Sequence, residues 1–363
     1  MKVLHLHKLT GVSGSENHLL ALLPALRERE VDARFLGLDV PGTDVRPFHE
    51  RLDELGVPHR SVRCGLDVSP RLARDVIRAV RAERPELLHT HLVHADVYGA
   101  IASRVTGVPF VSTRHNDDRY LLGPFRYVDR AFARGVRRIV AISDAVRLFL
   151  ERAGHDPRKL VTIRYGLDEL PSARSSPTPA EASIPGGVPL VLAVGRLIEQ
   201  KDHGTMLRAF ARVREEHPET RLAILGSGPL EAETRTLAAS LGISDAVALP
   251  GRTEIRDWLD RADVFVHTSR WEGFGIVLLE AMLVGLPIVA TSVSAVPEVV
   301  ADGKTGALVD AGDVAGVARE LSRLLGDEEL RRQLGEAGRE RARSEFSVTR
   351  MTEQTLDVYR AAI

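Results

Sequence analysis

The chain contains one pattern of apolar and polar positions twice. In the first half, residues 3–6 form a short apolar run, residues 11–15 a glycine-containing turn, and residues 16–26 have the apolar spacing of an amphipathic helix. The same order recurs in residues 190–216. Continuous apolar strands that alternate with helices are typical of parallel sheets covered by helices. Further strands are predicted at 86–89, 110–113, 138–141, 222–225, 264–267 and 287–290.

A segment without apolar periodicity separates the two halves. Residues 171–189 read PSARSSPTPAEASIPGGVP and are rich in proline, serine, alanine and glycine, as linkers and exposed loops often are. The sequence therefore predicts an α/β fold with two Rossmann-like domains that face a central cleft. We expect the domains at residues 1–170 and 190–345, the linker at 171–189, and a helix at 346–363.

Composition and charge exclude several classes of protein and of binding site. The 363 residues are enough for two domains. The chain has 49 basic and 50 acidic residues, so its net charge is close to zero. This balance, with only 5% aromatic residues, argues against a nucleic-acid binder. Cys64 is the single cysteine, so neither an internal disulfide nor a cysteine-based metal site is expected.

The chain shows no segment typical of export or membrane insertion. Residues 1–7 resemble a buried strand more than a signal peptide. The most apolar stretch, residues 276–290, includes Glu280 and Pro287 and is too short to span a bilayer. We expect a cytoplasmic protein.

Two cations follow the first strand of the second half. Arg196 comes two residues after that strand and Lys201 five residues later. Ligands of parallel sheets bind beyond the carboxyl ends of the strands, and a diphosphate there requires fixed positive charge. Arginine is abundant in this chain, so Arg196 alone is weak evidence. Lys201 is more informative because only five of the 49 basic residues are lysines.

A glycine turn and a glutamate-containing loop follow later strands. Residues 226–228 read Gly-Ser-Gly, which exposes backbone N–H groups but is also common in tight turns. No third glycine follows at the spacing of a dinucleotide fingerprint. Glu272 lies in a glycine-containing loop, and Glu280 lies in an apolar helical run where it needs a partner, such as ribose hydroxyls. A structural salt bridge and an ordinary helix start are the alternatives for these two residues.

With these motifs the chain resembles glycosyltransferase family 4, the glycosyl transferases group 1, whose members have the GT-B fold and retain anomeric configuration. The resemblance rests on Glu272-Gly-Phe-Gly with Glu280 eight residues later, on Gly195-Arg-Leu with Lys201, and on Gly226-Ser-Gly-Pro. Residues 285–291 and 297–309 fit the same family, and the resemblance covers essentially the whole chain.

The resemblance implies a donor site in the second domain. Arg196 and Lys201 would hold the diphosphate, Glu280 the ribose, and Glu272 the donor sugar. Backbone groups of Gly273, Phe274, Gly275 and Ile276 would position sugar and phosphate. The turn with Gly226 and Ser227, the loop with Arg252, and Gly14 in the first half of the chain also belong to the donor-binding set.

The resemblance also implies that residues 1–170 bind the acceptor and that the C-terminal helix crosses back onto them. Gly14 lies at the expected phosphate-binding helix start, and His115 aligns with the histidine that approaches the transferred sugar. The catalytic set is thus His115, Arg196, Lys201 and Glu272. The chain departs from the family at Ser13, at Tyr165 and at Ser294-Ala295, positions where family members often have glycine, asparagine and a glycine pair.

The implied reaction is hexose transfer from a nucleotide diphosphate sugar to a hydroxyl acceptor. A UDP-sugar is the favoured donor and GDP-mannose the other; the acceptor is a glycan, a lipid-linked sugar or a small molecule. No Asp-x-Asp follows a strand, so neither metal nor cofactor is expected. A sugar-nucleotide 2-epimerase, a phosphorylase and a non-catalytic sugar-nucleotide-binding partner remain alternatives.

Residues 125–140 contain arginines at a spacing of four, including Arg126, Arg130, Arg134 and Arg138. This spacing predicts a basic helix face. The face is either simply solvated or contacts anionic lipid, which would place the protein peripherally at the inner side of a membrane.

Overall fold

The computed structural model describes residues 1–65, 69–170 and 184–363. Residues 171–183, which make up most of the predicted linker, lie outside this part of the chain. The described residues form two compact units. One unit combines Met1–Gly166 with Ser347–Ile363, and the other is Leu167–Phe346.

The first unit is built on a parallel sheet. Its strands, counted over the described residues, have the order β3-β2-β1-β4-β5-β6-β7. They are β1 (Lys2–Leu9), β2 (Asp32–Asp39), β3 (His59–Arg63), β4 (Leu87–His91), β5 (Phe110–Arg114), β6 (Ile139–Ala141) and β7 (Leu160–Thr162). The helices are α1 (Gly14–Glu28), α2 (Arg46–Glu54), α3 (Pro70–Glu83), α4 (Leu92–Thr106), α5 (Phe125–Ala133) and α6 (Asp144–Arg152). Short 3-10 helices occupy Arg119–Leu122 and Pro157–Lys159.

Burial follows the position of each strand in this sheet. All residues of β4 and β5, in the middle of the sheet, are buried. Strand β3 lies at an edge, and each of its residues is at least partly exposed. The side chains of α1 that face the sheet, such as Leu19, Leu22 and Leu26, share a core with Val3 and Phe35. The strands are thus held by burial of apolar surface beneath the helices.

The second unit has its own parallel sheet and core. Over the described residues the strand order is β10-β9-β8-β11-β12-β13. The strands are β8 (Leu190–Val194), β9 (Arg221–Leu225), β10 (Val247–Gly251), β11 (Val264–His267), β12 (Ile288–Thr291) and β13 (Gly306–Val309). The helices are α7 (His203–Glu216), α8 (Glu231–Ser240), α9 (Arg256–Arg261), α10 (Ile276–Val284), α11 (Val296–Val299), α12 (Val314–Gly326) and α13 (Glu328–Glu345). Short 3-10 helices occupy Glu199–Lys201 and Ser244–Ala246.

The last helix, α14 (Val348–Ala362), belongs to the first unit and packs against α1. It begins at Ser347, whose Oγ accepts a hydrogen bond of 3.2 Å from the Arg350 N–H. Met351, Leu356 and Tyr359 are buried in the core of the first unit. The expected return of the C-terminal helix to the first half of the chain is confirmed, as are the two parallel α/β sheets.

Every described helix is too short or too polar to cross a lipid bilayer.

Candidate active site

The ion pair between Lys201 and Glu272 is the centre of the candidate site in the second unit. Lys201 ends the 3-10 helix that follows β8, and Glu272 lies in the loop between β11 and α10. The Lys201 Nζ and the Glu272 Oε2 are in direct contact. The side chains are 15% and 12% exposed, so the pair is largely shielded from solvent. The structure thus brings together a cation and a carboxylate that the sequence places far apart.

Two further side chains hold the Glu272 carboxylate. The His267 Nε2 lies 3.1 Å from the Glu272 Oε2, and the Ser269 hydroxyl donates to the same oxygen over 3.4 Å. Burial acts to raise the pKa of Glu272, but the Lys201 charge and the His267 hydrogen bond outweigh it. The pKa of Glu272 therefore lies well below its usual range, and the group is a carboxylate at neutral pH.

Hydrogen bonds connect the two loops that supply this pair. The Thr268 hydroxyl donates to the Lys201 carbonyl over 3.1 Å, and the Gln200 side-chain amide donates to the Trp271 carbonyl over 2.9 Å. The Arg270 N–H donates to the Gln200 carbonyl over 2.8 Å. Because both loops are fixed to each other, the positions of Lys201 and Glu272 are determined by the backbone as well as by their own contact.

The start of α10 supplies backbone donors next to Glu272. Gly275 precedes the helix with a φ of +85°, a conformation that favours glycine. The N–H groups of the first helical turn lack acceptors within the helix, which suits an anion. The Phe274 side chain is buried against Phe346, with ring centroids 5.8 Å apart, so only the backbone of Phe274 is available to a ligand. Ile276, the first residue of α10, is also buried.

Glu280 is a buried carboxylate in α10. Its exposed fraction is 6%, and it makes no hydrogen bond or ion pair with any of the described residues. Burial raises the pKa of Glu280 to about 7. An apolar helix seldom retains such a group without a partner, so Glu280 is suited to accept hydroxyl hydrogens from a ligand.

The remaining predicted donor-site residues lie in loops after neighbouring strands. Arg196 follows β8 and is exposed, Ser227 follows β9, and Arg252 follows β10. The Gly226 N–H donates to the Gly251 carbonyl over 2.8 Å. A Cβ at Gly226 would collide with the Gly195 carbonyl oxygen, so a close approach of two loops requires this glycine. The structure therefore places these residues at the carboxyl ends of adjacent strands.

In the first unit, Gly14 is the first residue of α1 and follows the helix cap Ser13. The Ser13 N–H and hydroxyl both donate to the Glu16 Oε2, over 3.0 and 2.6 Å. The His7 Nε2 lies 2.9 Å from the Glu16 Oε1. Ser13, where family members often have glycine, thus caps the helix. The buried Glu16 side chain holds the loop that precedes the helix.

His115 belongs to a chain of hydrogen-bonded side chains in the first unit. Its Nδ1 contacts the Tyr165 hydroxyl, and its Nε2 lies 3.0 Å from the His91 Nδ1. The His91 Nε2 lies 3.0 Å from the His5 Nδ1. The Tyr359 hydroxyl then lies 3.2 Å from the His5 Nε2 and 2.6 Å from the His89 Nδ1. We call the histidines and tyrosines of this chain the imidazole chain: His5, His89, His91, His115, Tyr165 and Tyr359.

The clustering of His5, His89 and His91 was not predicted, although the sequence contains a signal for it. His5 and His7 are two residues apart, as are His89 and His91, and residues at this spacing share a face of a strand. Strands β1 and β4 are neighbours and pair His5 with His89 and His7 with His91. Burial lowers the pKa of His5 to about 3, and burial also holds the pKa values of His89, His91 and His115 well below the usual range.

Three members of the imidazole chain could serve as metal ligands. His5, His89 and His91 each offer a ring nitrogen within 4.8 Å of the others. However, the hydrogen bonds to Tyr359, Thr113 and the other imidazoles use both ring nitrogens of every one of these histidines. The structure therefore favours a hydrogen-bonded chain over a metal centre at this place.

Helix α5 is shorter than the arginine spacing predicts. It ends at Ala133, so Arg138 lies outside it. The helix exposes large apolar side chains next to Arg126 and Arg130: Phe125 is 64%, Tyr127 61% and Val128 52% exposed. Its buried Asp129 pairs with Arg114 over 2.7 Å. The basic helix face that the arginine spacing predicts is therefore limited to Arg126 and Arg130, because the helix ends at Ala133.

Comparison with known proteins gives matches along both halves. Residues 177–341 match the family Glycosyl transferases group 1, and residues 12–169 match Glycosyltransferase Family 4. An alpha-maltose-1-phosphate synthase of Mycolicibacterium smegmatis is 30% identical, over 96% of this chain and 95% of its own. A D-inositol 3-phosphate glycosyltransferase of Streptomyces scabiei is 31% identical, over 79% of this chain and 71% of its own.

Solved structures share the fold. Anabaena HepE in complex with UDP-glucose has a TM-score of 0.85 and 22% identity, with 99% of this chain and 100% of the other covered. The sequence matches extend to nearly the full length of the mycobacterial relative, and the resemblance noted from the motifs is confirmed. The chain belongs to glycosyltransferase family 4, the glycosyl transferases group 1, with the GT-B fold, and it is an enzyme that transfers sugar from a nucleotide sugar.

Proposed function

We propose that the chain is a retaining glycosyltransferase that moves a hexose from a UDP-sugar to a hydroxyl acceptor without a metal ion. GDP-mannose is the alternative donor. The observation that carries the proposal is the grouping of Lys201 and Glu272 beside the start of α10. The same helix holds the buried carboxylate Glu280, which has no hydrogen-bond or ion-pair partner among the described residues. Binding of UDP-glucose by HepE, which has the same fold, supports the choice of UDP.

Each group has a role that its chemistry suits. Arg196 and Lys201 bind the diphosphate and stabilise the charge that develops on the departing nucleotide. Glu280 accepts hydrogen bonds from the ribose hydroxyls, and Glu272 does so from the sugar hydroxyls. The backbone N–H groups at residues 273–276 hold phosphate and sugar. His115 and the loop at Gly14 belong to residues 1–170, which we propose as the acceptor domain, with residues 190–345 as the donor domain.

The reaction that follows is a front-face substitution. The acceptor hydroxyl attacks the anomeric carbon on the side from which the diphosphate leaves, so that the configuration is retained. A leaving phosphate oxygen takes the proton of the acceptor hydroxyl. Arg196, Lys201 and the start of α10 supply preorganised positive charge, which is the main contribution of the protein to the rate.

The acceptor is a glycan, a lipid-linked sugar or a small molecule. For a lipid-linked acceptor we propose peripheral membrane contact through α5, where arginines lie beside exposed Phe125 and Tyr127.

The first experiment is a donor screen followed by an assay. Thermal shift with UDP-, GDP-, ADP- and dTDP-sugars identifies the donor, and release of nucleotide is then measured with a panel of hydroxyl acceptors. We expect acceptor-dependent release and a product with the anomeric configuration of the donor. Epimerised sugar without an acceptor would instead indicate a 2-epimerase, and donor binding without turnover would indicate a non-catalytic partner.

The second experiment tests the residues. We expect Arg196→Ala and Lys201→Ala each to lower kcat about 100-fold or more, by analogy with the loss of one preorganised donor. Lys304→Ala, which changes an exposed lysine in a turn, is the matched control. Wild-type turnover in both site variants would refute the assignment of the donor site.

A further inference from the structure

His267 makes the closest hydrogen bond to Glu272 apart from the contact of Lys201. It is the last residue of β11 and is 3% exposed. Its Nε2 lies 3.1 Å from the Glu272 Oε2 and 3.0 Å from the Ser269 Oγ. An ionised carboxylate only accepts hydrogen bonds, so a hydrogen bond between His267 and Glu272 requires the tautomer with its hydrogen on Nε2. No role for His267 was predicted from the sequence.

Two of the donors to Glu272, Lys201 and His267, differ in mobility. Lys201 reaches the carboxylate on a flexible four-carbon side chain, and its ammonium attracts phosphate as well as carboxylate. His267 is held by strand β11, which pairs with β12 at His267↔Ala290 and with β8 at Phe265↔Leu192. Burial lowers the pKa of His267, so its ring is neutral and has little attraction for a diphosphate.

The difference matters because the proposed function gives Lys201 two anions to bind. The donor diphosphate and Glu272 would share the three N–H donors of one ammonium. A buried carboxylate that loses a donor becomes costly and tends to move or take up a proton. His267 and Ser269 remain on Glu272 however the ammonium divides its hydrogen bonds. Ser269 is itself anchored, since its carbonyl accepts a 2.6 Å bond from the Thr291 hydroxyl.

We infer that His267 is a positioning residue for recognition of the donor sugar: its Nε2–H holds the Glu272 carboxylate in place for the sugar hydroxyls while Lys201 binds the diphosphate. This inference rests on the proposed function. It predicts an effect on ligands that contain the sugar and none on the nucleotide alone, because Glu272 contacts only the sugar.

The test compares His267→Leu with His267→Gln. Leucine removes the donor at similar size, whereas glutamine carries an amide N–H close to the position of Nε2. Binding of UDP-glucose and of UDP is measured by calorimetry, and His217→Leu in the C-terminal cap of α7 is the control. We expect His267→Leu to weaken UDP-glucose binding about 10- to 100-fold, as for loss of a hydrogen bond to a charged group, with unchanged UDP binding. We expect His267→Gln to recover most of this loss.

Several outcomes would overturn the inference. Equal weakening of UDP and UDP-glucose would mean that His267 only supports the fold, and a glutamine variant as poor as the leucine variant would rule out the donor role. If His267→Leu does not fold, His267→Asn replaces it, because its shorter side chain cannot place an N–H at the Nε2 position.

A second measurement does not depend on any donor. Imidazole ¹⁵N chemical shifts identify the tautomer of His267 in the wild-type protein. The Nε2–H form is expected, and the Nδ1–H form would refute the inference. If the wild type does not bind UDP-glucose, the proposed donor is wrong. The tautomer of His267 then still tests the inference.

Discussion

The ammonium of Lys201 and the carboxylate of Glu272 form an ion pair that joins the loop after β8 to the loop after β11. The low pKa of Glu272 means that the folded protein releases the proton more readily than the unfolded chain. This group therefore contributes stability above its ordinary pKa of 4.5, and the contribution is lost as the pH falls below that value.

Lys201→Met should thus destabilise the protein in a pH-dependent way. At pH 7 we expect a loss of about 1–3 kcal/mol in the free energy of unfolding, because Glu272 keeps its charge without its main partner. The loss should shrink at pH 4 as Glu272 takes up a proton in the variant. Urea denaturation at both pH values measures it, with Lys304→Met as the control. A loss that is the same at both pH values would contradict the role given to the ion pair.

Glu280→Gln should stabilise the protein, and the gain should grow as the pH rises. The raised pKa of Glu280, about 7, means that the folded state holds a proton that the unfolded state has lost between about pH 4.5 and pH 7. Wild-type stability therefore falls as the pH rises through this window, by at most about 3 kcal/mol from this group. The glutamine variant, which cannot ionise, should be the more stable protein at pH 8 and similar at pH 4.5.

The same substitution should weaken donor binding, since an amide is a poorer acceptor for ribose hydroxyls than a carboxylate. Denaturation at pH 4.5 and pH 8 and calorimetry with UDP give the two readouts. Glu340→Gln, at an exposed position of α13, is the control. A gain in stability together with a loss of affinity would mark Glu280 as a residue retained for binding. If Glu280→Gln changes neither the stability nor the affinity for UDP, Glu280 is not part of the donor site.

Ser294→Gly should stabilise the second unit. Ser294 has a φ of +44°, in the left-handed region that side chains other than glycine avoid. Glycine relieves this strain, and we expect a gain of about 0.5–1 kcal/mol in the free energy of unfolding. Ser292→Gly, two residues earlier and also exposed, has no positive φ and should lose stability instead. Thermal and urea denaturation measure the stability of both variants. A loss of stability of the same size in both would contradict the prediction.

Tyr359→Phe should destabilise the first unit. The Tyr359 hydroxyl lies between the His5 Nε2 and the His89 Nδ1, and its removal leaves both buried nitrogens without this partner. Unsatisfied buried polar groups of this kind cost about 1–3 kcal/mol. Tyr127→Phe removes a hydroxyl from a tyrosine that is 61% exposed and is the control. Urea denaturation measures both, and equal effects would show that the Tyr359 hydroxyl makes no special contribution.

Phe125→Ser and Arg130→Gln should weaken binding to anionic vesicles if α5 contacts lipid. Exposed aromatic and basic side chains act together at a bilayer surface, the first through burial and the second through charge. We expect sedimentation with vesicles of anionic lipid to fall in both variants and to fall for the wild type as salt rises. Leu148→Ser changes an apolar residue of α6 that is 53% exposed and is the control. If the wild type sediments no more with anionic vesicles than with neutral ones, α5 does not bind lipid and its basic face is simply solvated.

Much of the fold could be predicted from the chain alone because buried strands have a strong pattern. The apolar runs at 110–113 and 222–225 correspond closely to β5 and β9. Strand β3 was not predicted, since an edge strand with the sequence HRSVR has too few buried positions to show a pattern. Strand β2 was missed although most of it is buried, because Arg34 and Gly37 interrupt its apolar run.

The candidate site was only partly predictable. Spacing after strands placed Lys201 and Glu272 on loops, but neither spacing nor composition could show that the two side chains meet. His267 was assigned to a strand, and its bond to Glu272 depends on how the loop turns back after that strand. The imidazole chain required the register between β1 and β4, which periodicity within one strand does not contain.

The position of α14 has a consequence for how the protein is made. The core of the first unit includes Tyr359, so a ribosome must complete the entire second unit before that core can close. The second unit, Leu167–Phe346, is continuous and has its whole sequence available earlier. The sequence of the second unit is therefore complete before that of the first unit. Until α14 is made, the apolar surface of α1 that packs against it is uncovered, and we expect chaperones to bind there.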